Sequence, residues 1–306
     1  MTTDALEAAR AGSGTAFAEL VEGHRGGLHR HCYRMLGSLD DADDLVQETL
    51  LAAWRGMAGF DGRSSVSTWL YRIATNRCLN AIRDGRRRPP SEPVPPFDPP
   101  EPSSRSEVTW LQPYPDRTLD PQDRLESRES IELAFVAALQ RLPPRQAAAL
   151  LLVDVLGYDT AGAATMLDLG PTAAKGLLQR ARAATGGLPT SPEPDAGRAR
   201  LAARFAEAYA ADDVDGVVAL LTDDAWLAMP PAPHIYAGPG PIAGFLRASA
   251  TAHGAGITLV PTGANRQPAF GCYLGGAPVG VVVITVCNDK ITGITRFLDP
   301  GLNRRF

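Results

Sequence analysis

Two segments that resist regular secondary structure divide the chain into three parts. The first, residues 89–120, opens with eight prolines in the fourteen positions of 89–102. Proline fixes φ and removes a backbone donor, so this segment is predicted to be an extended, semi-rigid linker. A second, shorter linker is predicted over residues 186–197, where the sequence is GGLPTSPEPDAG. The domains predicted on either side of these linkers are 1–88, 121–185 and 198–306.

Composition argues against several classes of protein. The 306 residues carry a net charge of −4 and four cysteines, none in a CxxC pair, so neither a disulfide scaffold nor a cysteine-based zinc site is expected. The N-terminus shows no signal-peptide pattern, and no apolar run reaches about 18 residues, so we expect a cytoplasmic protein that does not span a membrane. No cofactor or metal is predicted, because His24, His29, His31 and Cys32 fall on two different faces of one helix.

The first two domains show helical periodicity. Between Asp40 and Arg55 the apolar residues form one stripe, on which Trp54 is predicted to be buried. The next helix is predicted to begin near Ser67 or Thr68, which could act as its N-cap. A long helix is predicted over 120–142, followed by three shorter helices.

Positive charge is concentrated in two of these helical stretches. From Arg63 to Arg88 seven arginines stand against one acid, and from Pro171 to Gly187 three cations stand against none. Two basic helices in a chain that is acidic overall are typical of proteins that neutralise nucleic-acid phosphates. The alternative is that each stretch is a solvated helix face.

A helix-turn-helix is predicted for residues 159–182, DTAGAATMLDLGPTAAKGLLQRAR. Its two helices are predicted to pack through Ala161, Ala164, Leu167 and Leu169. The second helix would then enter the major groove as a recognition helix. The residues predicted to point outward, or to suit phosphate and guanine contacts, are Thr172, Ala173, Lys175, Gly176, Gln179, Arg180 and Arg182.

Two long motifs, DADDLVQETLLAAWR and STWLYRIATNRCLN, follow one another within residues 40–83. They resemble domain 2 of the sigma-70 superfamily in its extracytoplasmic-function branch, and the helix-turn-helix resembles domain 4 of the same family. The resemblance covers about residues 14–185. It implies two all-α domains and a factor that binds core RNA polymerase and promoter DNA.

The resemblance also implies a role for individual residues. The acidic helix is expected to dock on the β′ clamp helices of core polymerase, and domain 4 on the β flap. The residues implied at the polymerase are Asp43, Asp44, Gln47, Glu48, Leu51 and Arg55. Those implied to capture a flipped base and hold the melted strand at the −10 element are Phe60, Asp61, Gly62, Arg63, Ser64, Ser65, Trp69, Arg72, Asn76, Arg77 and Arg83, with Arg86 to Arg88 beyond them. The recognition-helix residues are implied at the −35 element.

Two of these assignments have alternatives. Trp69 could belong to the apolar core instead of stacking on a base. In the recognition helix, Gly176 and Leu177 stand where the family often has serine and arginine, so the base sequence read at −35 stays open.

The third domain changes to an α+β pattern. Two helices, at about 199–211 and 213–221, precede strands rich in β-branched residues. The sequence from Phe205 to Leu246 resembles the SnoaL-like, or nuclear-transport-factor-2-like, family, which implies a cone with a curved antiparallel sheet and a pocket. Members of that family include enzymes and non-enzymes. Candidate pocket residues are Trp226, Met229, His234, Tyr236 and Arg296.

An apolar island, VTWLQPYPD over Val108 to Asp116, interrupts the linker. It resembles the linker motif of sigma factors with a fused C-terminal domain, and Trp110, Leu111 and Tyr114 are predicted to contact a neighbouring domain.

Together these patterns predict a multidomain sigma factor, not an enzyme, that its C-terminal domain regulates in cis. Whether that domain takes a small-molecule or a protein ligand is left open. One alternative is fusion to an active SnoaL-like enzyme, which a pairing of His234 with Asp299 would favour. The other is a ligand-sensing helix-turn-helix regulator that binds duplex DNA without polymerase.

Overall fold

The computed structural model describes residues 3–85, 97–119, 131–186, 196–254 and 256–306. The chain divides into two compact units, which are described separately. The first, the helical unit, comprises 1–87 and 120–189, and the second, the sheet unit, comprises 88–119 and 190–306. The linker residues 97–119 therefore belong with the C-terminal part of the chain. None of the described helices is long and apolar enough to cross a membrane.

Nine α-helices form the described part of the helical unit. They are α1 (Thr3–Arg10), α2 (Gly14–Glu22), α3 (Arg25–Leu36), α4 (Leu39–Gly56), α5 (Val66–Arg83), α6 (Leu133–Arg141), α7 (Pro144–Leu150), α8 (Thr160–Met166) and α9 (Pro171–Thr185). A π-helical turn, Leu151–Val155, continues α7. Of the predicted long helix over 120–142, residues 120–130 lie outside the described residues, and the observed helix begins at Leu133.

Serine caps fix where the two motif helices begin. The Ser38 hydroxyl accepts the backbone N–H of Asp41 at 3.2 Å at the start of α4. The Ser65 hydroxyl does the same for Thr68 at 3.0 Å at the start of α5. Each cap satisfies a donor that has no partner within its own helix. The predicted cap at Ser67 or Thr68 is therefore wrong by two or three residues.

The prediction that Trp54 lies in the core of the helical unit is wrong, because Trp54 is 36% exposed. The buried stripe of α4 runs through Leu50 and Ala53 to Met57 just beyond the helix end, and Trp54 lies one position, about 100°, further round the helix. Its ring instead meets Phe17 edge-on, with centroids 5.2 Å apart.

In the described part of the sheet unit, three α-helices pack on one seven-stranded sheet. The helices are α10 (Ala196–Ala210), α11 (Val214–Ala219) and α12 (Pro239–His253). The strands are β1 (Ser104–Arg105), β2 (Leu221–Met229), β3 (Ala232–Ala237), β4 (Ile257–Ala264), β5 (Gln267–Leu274), β6 (Ala277–Cys287) and β7 (Lys290–Phe297). Their order in the sheet is β1-β3-β2-β7-β6-β5-β4. The predicted α+β class is confirmed.

The sheet differs from the prediction in one pairing, because β2 and β7 run parallel whereas all other neighbours are antiparallel. A parallel pair needs a long crossover connection. Here that connection is the whole stretch from β3 to β6. The alternation of apolar and polar residues within each strand does not reveal that β2 pairs with β7. A short 3₁₀ helix, Pro300–Arg305, follows β7.

Candidate nucleic-acid interface

The residues predicted to contact polymerase lie along one side of α4. Asp44, Gln47, Leu51 and Arg55 are exposed, and Asp43 and Glu48 are half-buried. Their spacing of three and four residues places them on a common surface. Leu51, at 48% exposure, is one of three exposed large apolar side chains in the described part of the chain, with Trp54 and Val260. An apolar side chain amid charges is a composition suited to a protein partner.

Residues 60–65, which lead into α5, are exposed except for Phe60. Asp61, Gly62, Arg63 and Ser64 are open to solvent, and the Asp61 carboxylate accepts the Arg63 N–H at 3.0 Å. Gly62 has φ +74°, a conformation that favours glycine. These exposed backbone groups remain the predicted base-capture loop.

Phe60 is the buried residue of this loop. Its side chain is 5% exposed and packs on the Trp69 ring with centroids 4.9 Å apart. Phe60 therefore supports the loop through its contact with Trp69, and its assignment to the −10 site stays a prediction. Trp69, half-buried against it, belongs mainly to the same apolar layer.

Helix α5 presents the other residues predicted at the −10 element. Arg72 and Arg83 are exposed, and Asn76 and Arg77 are half-buried. Arg77 pairs with Glu48 of α4 at 3.0 Å, so a residue assigned to DNA and a residue assigned to polymerase hold each other. Arg86 to Arg88 lie outside the described residues.

The helix-turn-helix is formed by α8 and α9. Ala174, Leu178 and Ala181 of α9 are buried. Of the residues predicted at the −35 element, Gly176 is half-buried. The others are exposed, namely Thr172, Ala173, Lys175, Gln179, Arg180 and Arg182. Four of them line a groove of about 1000 Å³ together with Thr160 and Ala161. This exposure fits the predicted recognition helix.

One residue of the predicted helix packing is wrong. Ala161 is exposed, and its place between the helices is taken by Ala163, which is 1% exposed. Asp159 caps α8 by accepting the Gly162 N–H at 2.6 Å, which fixes the rotation of this short helix. Ala164 and Leu167 are buried as predicted, and Leu169 is half-buried.

Arg182 differs from the other cations of the recognition helix. Its Nε donates to Asp154 Oδ2 at 2.9 Å, and its Nη2 donates to the other carboxylate oxygen at 2.5 Å. Asp154 belongs to the π-helical turn, and its side chain is 14% exposed. The hydrogen bond to Asp154 raises the pKa of the Arg182 guanidinium. The bidentate pair therefore ties α9 to the π-helical turn that continues α7.

In the sheet unit, the predicted pocket residues do not share one face. Met229 and Tyr236 are fully buried in the core under the helices. Trp226 alternates with the core residues Ala225 and Leu227, so it points to the opposite face of the sheet. There it covers Gly293, where a Cβ would come 2.6 Å from the Trp226 ring. The assignment of Trp226 to the pocket is therefore wrong.

Arg296 occupies a polar spot within this core. Its Nη1 donates to Ser249 Oγ at 3.0 Å, and its guanidinium lies 5.4 Å from the Phe245 ring centroid and 5.9 Å from that of Tyr209. Burial raises the pKa of Tyr209 to about 12 and that of Cys272 to about 11, so both stay protonated. The adjoining cavity, lined in part by Tyr209 and Ser249, measures about 20 Å³, which is room for a water molecule.

The two residues whose pairing would favour an enzyme lie on different elements. Asp299 Oδ1 accepts the Gly301 N–H at 2.7 Å and caps the last 3₁₀ helix. His234 lies on β3, in register with Arg105 of β1.

The linker is bound to the sheet unit at one edge of the sheet. Strand β1 pairs with β3, and Ser106 donates its N–H to the Pro233 carbonyl at 2.7 Å. Nearby, Phe97 packs on Phe245 with centroids 5.6 Å apart, and the Tyr236 hydroxyl donates to the Pro100 carbonyl at 2.8 Å.

The linker is also bound at the opposite edge, at the turn between β4 and β5. Tyr114 and Asn265 exchange two hydrogen bonds, from Tyr114 N to Asn265 Oδ1 at 2.7 Å and from Asn265 N to Tyr114 O at 2.8 Å. Asp116 accepts the Arg266 N–H at 2.8 Å. Asn265 and Arg266 both have positive φ, as a two-residue hairpin turn requires. The sequence singled out the island but gave no signal for Asn265.

Between these anchors, residues 106–113 form neither a helix nor a strand. Leu111 and Tyr114 are buried and Trp110 is half-buried. We call residues 97–119 the strap.

Comparison with known proteins places both segments of the helical unit in one family. Residues 20–88 match Sigma-70 region 2, and residues 132–184 match Sigma-70, region 4. The ECF RNA polymerase sigma factor SigG of Mycobacterium tuberculosis is 42% identical over 95% of this chain and 83% of its own length. SigJ of the same species is 30% identical over 86% of this chain and 82% of its own length.

A solved structure shares the overall fold. The crystal structure of the Mycobacterium tuberculosis extracytoplasmic function sigma factor SigJ has a TM-score of 0.65 and 23% identity, and it covers 94% of this chain and 97% of the SigJ chain. The likeness therefore extends through the C-terminal sheet. From the two matched regions and the near full-length relatives, we conclude that the chain belongs to the extracytoplasmic-function branch of the sigma-70 family.

Proposed function

We propose that the protein is a cytoplasmic sigma factor that binds core RNA polymerase, directs it to promoters, and is modulated in cis by its C-terminal domain. The chain would recruit polymerase through α4, read a melted −10 element with α5 and the loop before it, and read a duplex −35 element with α9. It is a binding protein rather than an enzyme in this proposal.

The exposed residues of the helical unit support the DNA-reading part. Lys175 and Arg180 can contact phosphate or guanine, and Gln179 can pair with adenine in the major groove. Asn76 offers an amide of the kind that reads the edge of a flipped base. These side chains project from helices, and rigid elements hold such groups in place well.

The strap is the single observation that carries modulation in cis. It is part of the linker between the polymerase- and DNA-contacting segments, and it is hydrogen-bonded to the sheet unit at both edges of the sheet. A signal that changes the sheet unit would therefore change the linker, and with it the freedom of the two segments to take up their places on polymerase.

Run-off transcription with core polymerase tests both parts of the proposal. The informative variant is Asn265→Gly, which tolerates the positive φ of the turn but removes the acceptor of the Tyr114 N–H. A matched control is Asn288→Gly, in the turn between β6 and β7, where φ is also positive. Loss of one buried hydrogen bond of about 1 kcal/mol is expected to change promoter-dependent output up to about five-fold.

The outcomes separate the two claims. Initiation at defined start sites by the unaltered chain supports sigma activity, and its absence refutes it. A change in transcription output for N265G but not for N288G supports modulation through the strap. Equal output from N265G, N288G and the unaltered chain refutes that part and leaves sigma activity standing.

A further inference from the structure

Arg77 of α5 lies apart from the other α5 residues predicted at the −10 element. A helix turns by about 100° per residue, so Arg72, Asn76 and Arg83 fall within about 40° of one another around α5. These three residues form one stripe along the helix, and on it Arg72 donates to Asp168 Oδ1 at 3.1 Å. Arg77 is about 140° from Arg72 and at least about 100° from the other two members of the stripe. The position of Arg77 on α5 therefore does not match that of a fourth strand-binding residue.

Arg77 lies on a side of α5 that turns towards the interior of the helical unit. Leu70 and Ala81, which lie within about 40° of Arg77 around the helix, are both buried. Arg77 Nη1 donates to Glu48 Oε2 of α4 at 3.0 Å. Glu48 is the only partner of the Arg77 guanidinium among the described residues. The cation is thus directed at α4.

Glu48 stands in the middle of the α4 surface predicted to contact polymerase. Asp44 and Leu51, which belong to the same surface, lie within about 60° of Glu48 around the helix. Asp44 is exposed and has no side-chain partner in the described part of the chain. Glu48, by contrast, is half-buried and is held by Arg77. The orientation of this carboxylate is therefore set from the neighbouring helix.

We propose that Arg77 is a positioning residue of the polymerase surface: it holds the Glu48 carboxylate in the orientation that core polymerase binds, and it does not contact promoter DNA. This inference rests on the proposed function, because it assigns Arg77 to one of the two surfaces named there. A side chain that is already fixed loses less conformational freedom when a partner binds. A pre-positioned Glu48 therefore binds polymerase more tightly than a mobile one.

The alternative is that Arg77 leaves Glu48 and binds a phosphate of the melted strand. The strength of the pair does not decide between these roles, because side chains that are 37% and 41% exposed form a weak ion pair. The direction of the side chain does favour the positioning role. To meet a strand that lies on the stripe, Arg77 would have to reach about 100° or more around α5, and Glu48 would lose its cation.

Two binding measurements on the full chain separate these roles. The first titrates the fluorescently labelled protein with core polymerase. The second titrates the assembled complex with a fluorescent 12-nucleotide single strand of random sequence, because phosphate contacts do not depend on base sequence. Arg77→Gln is expected to weaken polymerase binding about three- to five-fold and to leave strand binding and its salt dependence unchanged. Arg77→Lys should restore polymerase binding to within about two-fold, because a contact to one carboxylate oxygen does not need the arginine fork.

Three further variants isolate the mechanism. In a Glu48→Gln background, R77Q should have no further effect on polymerase binding, because Arg77 acts through Glu48. Arg25→Gln is the matched control, since Arg25 forms an exposed pair with Glu22 at 2.9 Å outside both surfaces, and it should change neither measurement. Arg83→Gln is the positive control for the strand and should reduce the salt dependence by about 0.7, the value for one phosphate contact on a single strand. If R77Q does not fold, Arg77→Met keeps the apolar stem and takes its place.

Each outcome decides the matter. Polymerase binding that falls in R77Q, returns in R77K and shows no further loss in the E48Q background supports the positioning role. That role is overturned if R77Q binds polymerase as R25Q does, even if R77Q is less stable. It is also overturned if R77Q loses strand binding as R83Q does, or if it weakens polymerase binding equally with and without Glu48.

The unaltered chain tests the proposed function separately. If it neither binds core polymerase nor directs initiation in run-off transcription, the proposed function fails, and the positioning role fails with it. If the unaltered chain does both and R77Q behaves like R25Q, only the positioning role fails.

Discussion

The bidentate pair between Arg182 and Asp154 predicts that one cation of the recognition helix is a brace rather than a base reader. Two hydrogen bonds, at 2.9 and 2.5 Å, use the Nε and Nη2 donors of Arg182 on a carboxylate that is 14% exposed. Asp154→Asn removes the charge and one acceptor while keeping the shape of the side chain.

The magnitude follows from this geometry. A hydrogen bond to a charged group contributes about 1.5–3 kcal/mol, whereas an exposed ion pair contributes about 0–1 kcal/mol. Because Arg182 is half exposed and Asp154 is not, we expect D154N to lower the free energy of unfolding by about 1–2 kcal/mol. Arg182→Ala should cost a similar amount, and the double variant should cost little more than either one, because both remove the same pair.

Chemical denaturation and binding of duplex −35 DNA together test this role. D154N and R182A should reduce stability and leave discrimination between −35 sequences intact. Gln179→Ala should do the reverse, because Gln179 is exposed and suited to adenine. The reasoning is refuted if R182A loses base discrimination as Q179A does while D154N leaves stability unchanged.

Three further predictions test other parts of the structure. His31 is buried, which lowers its pKa to about 3, so between about pH 6.5 and 3 the unfolded state binds more protons than the folded state. The free energy of unfolding should therefore fall with falling pH by up to about 1.4 kcal/mol per pH unit. His31→Gln should reduce this slope in acid denaturation. Gly293→Ala would place a Cβ 2.6 Å from Trp226 and should cost about 1–3 kcal/mol by thermal unfolding, whereas Gly240→Ala, which meets open space, should cost nothing. Leu51→Ala should weaken binding of core polymerase about five-fold or more in a titration. Its free energy of unfolding should not change, because the Leu51 side chain is 48% exposed. A loss of stability as large as the loss of binding free energy would contradict this prediction.

The sequence predicted best the features that depend on local pattern. The acidic helix, the basic helix after it and the helix-turn-helix all appear where periodicity and family motifs place them. Asp44, Gln47 and Lys175 are exposed as their helical positions imply. Periodicity is least informative for residues at the edge of an apolar stripe. Trp54 is such a residue, because it lies about 100° round the helix from the buried Ala53.

In the sheet, local pattern is less informative. The run from Ala225 to Met229 is apolar throughout, so the sequence does not say which alternate residues face the helices. Only the pairing of β2 with β7 decides that Trp226 points away from them. The C-terminal strand order likewise depends on partners far apart in sequence.

The long-range contacts of the strap and of the helical unit cannot be predicted from local sequence pattern. The apolar island predicted some contact, but its partner, the turn at Asn265, is 151 residues from Tyr114. Arg72 and Asp168 are 96 residues apart, and neither differs in sequence from an ordinary solvated charge. Such pairings follow from tertiary structure and not from composition.

The most direct test of the account maps where the two reading surfaces lie on a promoter. A photocrosslinking amino acid is placed at Asn76 in one full-length protein and at Gln179 in another, each bound to core polymerase on a promoter with a mapped start site. We predict a crosslink from position 76 to the melted strand near −10 and one from position 179 near −35, about 25 base pairs upstream. Crosslinks from both positions to one duplex segment, formed equally well without polymerase, would contradict the account and favour a helix-turn-helix regulator.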